Sequence, residues 1–190
     1  MFKGLLMGIE LINDNLLFIA FEDSTICVLN LKNEKLIDSL KHPKYFQFIC
    51  WCFYSNNKQT LIVISVIGQL YLLSYYLEEL KVECILQKIK NNINYTSLAI
   101  TNKDFKENPK IAAGLNNGEI QIFSLIPSND QIPKWSKQIN ICLNIHCNSI
   151  QCLKWILINE EKEEKEIFIF SGSLDEKIVF LQLLNTDKIE

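Results

Sequence analysis

The chain has 190 residues and a mass of 22.1 kDa, with 48% hydrophobic and 22% charged residues and a formal net charge of -3 from 19 Lys+Arg against 22 Asp+Glu. That length suits one compact domain and excludes an elaborate multidomain enzyme; the composition disfavours a disordered chain, and the small negative charge a polyanion-binding one. Every basic residue other than the two histidines is a lysine, so the bidentate guanidinium fork used on phosphates, carboxylates and guanines, and at many interfaces, is absent.

In chain order, the apolar segments fall into four similar groups. Residues 5–12 form a first apolar strand, followed by a strand–turn–strand unit over 17–31 and a strand over 36–40. The second group has strands over 46–53 and 82–89 around the hairpin 61–74. Its opening segment, Phe-Gln-Phe-Ile-Cys-Trp-Cys-Phe, alternates along the two faces of a strand. Residues 75–90 come nearest to a helical period, but β-branched residues and the preceding hairpin favour strands there. The third group places strands over 95–100 and 139–145 around 111–125, and the fourth a strand over 150–158 before 168–183. Gly68 and Gly118 are expected in hairpin turns, where positive φ is needed.

Aligning the hairpin turns puts Asp23, Ile67, Asn117 and Asp175 in register, at intervals of 44, 50 and 58 residues. Four strands per ~40–45 residues is the period of a propeller blade. Polar tracts account for the longer intervals: 101–109, 126–133 and the charge run 159–166, which reads as a solvated hairpin tip. The fold expected is all-β, a propeller of four-stranded antiparallel blades. One domain over 1–190 would contain about four blades, at 4–40, 46–89, 94–145 and 149–183.

Catalytic and metal chemistry find little support. Seven cysteines lie mostly among Ile, Leu, Phe and Trp, as small core residues of a reducing compartment do. Cys142, His146, Cys147 and Cys152 are close in sequence but lack a C-x-x-C knuckle, so no zinc is expected. The pairs Glu78-Glu79 and Glu163-Glu164 would point to opposite sides of a strand. The segment from Gly114 to Gly118 lacks the Lys-Ser/Thr of a phosphate loop. No catalytic residue and no cofactor is expected, and dispersed lysines argue against nucleic acid. The longest apolar run, residues 61–73, is shorter than the ~20 residues of a membrane span and is broken by Ser65, Gly68 and Gln69. With no signal peptide at residues 1–10, a soluble intracellular protein, cytoplasmic or nuclear, is expected. Trp51 and Trp155 lie in apolar strands and read as core, whereas Trp135, flanked by Pro133, Lys134 and Ser136, is a candidate interface residue.

The four units resemble degenerate WD repeats of the Gβ-like propeller family. The fourth matches best: His146 precedes its first strand, and Ser171-Gly-Ser-Leu-Asp175-Glu-Lys-Ile178 follows the family's hairpin pattern, with Leu181-Gln182 at the Trp-Asp positions. The third matches through Ala113-Gly114, Asn117-Gly118 and Phe123-Ser124, and the first through Asp23, Ile26 and Leu29-Asn30. The second, with Ile67-Gly68 and Leu73-Ser74, is the most worn. The resemblance implies a buried hydrogen-bonded set of His146, Ser171 and Asp175 that fixes the blade, with the missing Trp leaving the serine short of a donor. It breaks in unit one, which has no preceding His, and in unit two, where His42 precedes a turn occupied by Ile67. It also implies a non-enzymatic scaffold that binds other proteins within a complex; the alternative is a substrate-adaptor or regulatory subunit in ubiquitin ligation or RNA processing. Because a seven-bladed ring needs roughly 300 residues, four units leave three readings: the C-terminal part of a longer product, a ring completed by another chain, or a small closed ring. A partial propeller is expected, with completion by another chain as the alternative.

Overall fold

The computed structural model describes residues 5–13, 15–21, 25–41, 48–55, 60–66, 69–76, 78–89, 92–101, 109–127, 135–159 and 165–183. Its described segments form fifteen strands in four antiparallel sheets. Sheet one contains β1 (Leu6–Asn13), β2 (Leu16–Phe21), β3 (Thr25–Asn30) and β4 (Lys35–Lys41). Sheet two contains β5 (Phe48–Ser55), β6 (Thr60–Val66), β7 (Gln69–Tyr76) and β8 (Glu79–Lys88). Sheet three contains β9 (Tyr95–Ile100), β10 (Lys110–Leu115), β11 (Glu119–Pro127) and β12 (Trp135–Asn144). Sheet four contains β13 (Ile150–Asn159), β14 (Lys165–Ser173) and β15 (Ile178–Leu183); among the described residues it has three strands, against the four expected. Within each sheet the described strands pair antiparallel in sequence order.

Two of the expected polar tracts are shorter than their composition suggests. β11 continues through Pro127, and Asn159 pairs with Lys165, so that hairpin pairing draws the ends of the tracts into the ladders. Residues 102–108, 128–134 and 160–164 lie outside the described residues, as do His42, Asp23, Ile67 and Gly68. Residues 75–90 hold the β7–β8 hairpin, turned at Glu78 with φ 63°. Among the described residues no helix is long and apolar enough to cross a membrane.

The sheets pack face to face in chain order. Phe18, Ala20, Ile26 and Val28 of sheet one meet Tyr71, Leu73, Tyr75 and Leu80 of sheet two. Phe18 and Tyr75 form an edge-to-face pair with ring centroids 5.5 Å apart. The opposite side of β7 supplies Leu70 and Leu72, which meet Tyr95, Ile111, Leu115 and Phe123 of sheet three. Sheet three then turns Ala112, Ile120 and Ile122 toward Ile150, Trp155, Ile167, Ile169 and Leu181 of sheet four. A strand covered on both sides must be apolar at successive positions, which is why β7 and β10 are buried over 70–75 and 111–115. At ~25 cal/mol per Å², these three layers supply the main favourable contribution to stability.

Polar bonds then fix how the layers sit. The Leu80 N–H donates to Asp38 Oδ2 at 2.7 Å, joining β8 to β4. Thr96 Oγ1 donates to Ile150 O at 2.6 Å and Trp155 Nε1 to Ala99 O at 3.2 Å, joining β9 to β13.

Candidate functional site

Among the described residues, a dense polar arrangement lies where sheet three hands the chain to sheet four. After β12 the His146 N–H donates to Gly118 O at 3.2 Å, which ties this residue's backbone to the third hairpin turn. Its ring reaches instead into sheet four. Nδ1 is 3.1 Å from both oxygens of Asp175, and Nε2 is 2.9 Å from Ser171 Oγ. Since a carboxylate only accepts, Nδ1 carries the hydrogen in that pair.

Asp175 sits in the β14–β15 turn and does several jobs. Oδ1 accepts the Lys177 N–H at 3.1 Å, an Asx turn that shapes the hairpin. Oδ2 accepts the Cys147 N–H at 3.1 Å. Burial raises the carboxyl's pKa, but the N–H groups of Cys147 and Lys177, the imidazole hydrogen bond and the His146 charge outweigh it, lowering the pKa from 3.8 to about 2. The next residue, Glu176, takes the left-handed conformation with φ 65°.

Ser171 enters from β14, opposite Leu153 and Val179. Its Oγ also lies 3.5 Å from Val179 O. At the position where the repeat pattern has Trp, Leu181 is buried and adds packing without an N–H.

Hydroxyl, imidazole and carboxylate thus stand in the order of a nucleophile, base and orienting acid. The His146 and Asp175 side chains are 0% and 2% exposed, however, and Ser171 is 0% exposed. No substrate carbonyl can reach the Ser171 oxygen in this arrangement. What the set does in place is hold the fourth turn against the segment leaving sheet three. Cys147 lies alongside, its Sγ 3.7 Å from Asp175 Oδ2. Among the described residues no three His, Cys, Asp or Glu side chains come together to hold a metal ion.

The third turn is anchored by other chemistry, which sequence reading did not single out. Asn116 Oδ1 accepts the Asn94 N–H at 3.1 Å, and its Nδ2 donates to Asn92 O at 3.2 Å. One turn residue later, Asn117 Oδ1 accepts the Glu119 N–H at 3.2 Å, and Gly118 follows with φ 87°. A Cβ on Gly118 would run into the carbonyl of His146, so glycine is required there on two grounds. Further along, Trp135 opens β12, opposite Pro127.

No protein-family model matches the chain, and no curated protein sequence matches it. Solved structures do. The chain is similar to the computationally designed Ika4 protein at TM-score 0.61 and 14% identity, over 95% of this chain and 92% of that one. It is also similar to the Cps50 (Swd1) β-propeller domain of Myceliophteria thermophila at TM-score 0.67 and 12% identity, over 96% of this chain. The chain spans 52% of the length of that domain. At these identities the likeness concerns fold: an all-β propeller architecture with about four blades present.

Proposed function

We propose that this chain is a non-enzymatic, WD-repeat-like scaffold that holds other proteins in a complex, acting as one propeller domain over residues 1–190. The observation that carries the reading is the sealed His146–Asp175–Ser171 set. A constellation that would be reactive if open is closed to solvent and used to join one turn to the neighbouring sheet. In this reading the set is a structural blade network, and function resides on the loops and strand ends that the sheets display. Trp135, at the start of β12, is the interface residue we assign. An aromatic anchor is the natural choice for a chain without arginine. The protein works inside the cell, in the cytoplasm or nucleus, and its incomplete count of blades is made up by another chain.

Affinity capture of the tagged full chain from native lysate, quantified by mass spectrometry, tests this. Stoichiometric protein partners are expected, and Trp135→Ala should reduce their recovery about tenfold if Trp135 contributes the ~1–2 kcal/mol of an interface anchor. Capture of no partner would count against the scaffold. Recovery of a ubiquitin-ligase or RNA-processing assembly would favour an adaptor role in that enzyme.

A further inference from the structure

Each internal layer joins the forward face of one sheet to the rear face of the next. Sheets two and three are covered on both sides, whereas sheets one and four are covered on one. Their other sides carry exposed apolar residues, with Cys27 buried on the rear of sheet one and Lys154 and Gln182 sharing the forward side of sheet four. On the rear of sheet one, Leu6 pairs across from Phe21, Ile9 from Ile19 and Leu11 from Leu17. Leu6, Ile9 and Leu11 are 57%, 51% and 55% exposed. On the forward side of sheet four, Phe170 pairs with Phe180 at a ring-centroid distance of 4.9 Å, and Ile178 stands next to them. Ile178 and Phe180 are 65% and 62% exposed.

Contiguous exposed apolar surfaces of this kind mark contact sites. Here they form a complementary pair, one forward face and one rear face, the same combination that the molecule packs three times internally. Among the described residues, β13 does not pack on β1 as it packs on β9. Among the described residues the two faces therefore do not cover one another.

We infer that a second copy of this chain covers both faces, the forward side of sheet four of each copy packing on the rear side of sheet one of the other. This rests on the reading that another chain completes the ring, and it names that chain. A second copy is the occupant that satisfies both faces at once, with the layer geometry already present inside each molecule. The two head-to-tail contacts are related by a two-fold axis and close, leaving no apolar face to polymerise. Size agrees: this chain spans 52% of the Swd1 propeller domain, so two copies match about one such domain in length.

Sedimentation of the purified full chain decides the matter without reference to capture from lysate. The expected species has about twice the 22.1 kDa chain mass. Phe180→Asp and Ile9→Asp alter residues exposed within one copy, so each variant should keep its strand circular dichroism while dimer dissociation rises about 100-fold or more. Mixing the two variants leaves one of the two contacts unaltered and should restore part of the two-copy species. A single-mass wild type overturns the inference, as do species growing beyond two copies. Loss of pairing in only one variant, or the lack of a mixed two-copy species, overturns the head-to-tail contact. If the chain pairs but captures no partner, the scaffold reading fails and this inference stands.

Discussion

The third and fourth hairpin turns have the same backbone and different anchors. Both place an Asx residue, Asn117 or Asp175, over the N–H two positions on, and both follow it with a left-handed residue, Gly118 or Glu176. Where they differ is in what ties them to the chain entering their sheet. The third relies on the Asn116 amide bonded to Asn92 and Asn94 at the surface, and the fourth on a buried imidazole shared by Asp175 and Ser171. One backbone turn can thus be secured either by neutral amides, which do not titrate, or by a carboxylate that does.

Substituting Gly118 should separate the two turns most sharply. Valine there combines a strained positive φ with a clash against the His146 carbonyl. The cost should be about 3–5 kcal/mol, read as a lower urea midpoint. Because that carbonyl belongs to the residue carrying the fourth turn's imidazole, damage to the third turn should also disturb Ser171 and Asp175 resonances in NMR spectra.

Exchanging the buried hydroxyl has a smaller effect. Ala113 occupies in β10 the place that Ser171 holds in β14, four residues before the Asx position. Ser171→Ala leaves His146 Nε2 without its partner and should cost about 1–2 kcal/mol. Ala113→Ser places a hydroxyl in the layer that holds Leu70, Ile111 and Phe123, across the strand pair from the buried Gln121, and should cost ~1 kcal/mol. If both changes prove neutral in chemical denaturation, the polar and apolar anchors are interchangeable and the contrast fails.

Acid separates the turns differently. The folded-state pKa of Asp175 is lowered, so its stabilising contribution is complete above the ordinary value of 3.8 and is lost as pH falls through about 2. Wild type and Asp175→Asn should therefore converge in stability between pH 4 and pH 2. The Cys147 amide shift should titrate near pH 2, while the Asn94 amide, bonded to neutral Asn116, should not follow it.

The smallest effect is expected at Glu176. Glycine fits its φ of 65° without a Cβ penalty, as Gly118 does in the other turn. Glu176→Gly should stabilise the protein by about 0.5–1 kcal/mol after the unfolded-state entropy of glycine is subtracted, seen as a small rise in Tm.

Local patterns made much of the strand arrangement legible. The segment read as a strand at 95–100 becomes β9 over those same residues, and apolar runs mark the doubly covered β7 and β10. Strand ends were less legible, because Pro127 and Lys165 join ladders through their partners, whatever their own propensity. At the candidate site, His146, Ser171 and Asp175 stood out because they fitted a repeat pattern. Asn116 did not, since a side-chain amide bonded to two distant backbone groups leaves no spacing rule in sequence. The Thr96–Ile150 bond was hidden for the same reason, and which side of sheets one and four is covered depends on layer packing that no single segment encodes.

The position of His146 also has a mechanical consequence. Its backbone belongs to the sheet-three side of the junction and its ring to the sheet-four side, so it acts as a shear pin between them. Under a pulling force applied at residue 190, β15 can peel from β14 before load reaches Asp175 and Ser171. An extension trace should therefore release residues 178–183 first and then pause, until the imidazole lets go.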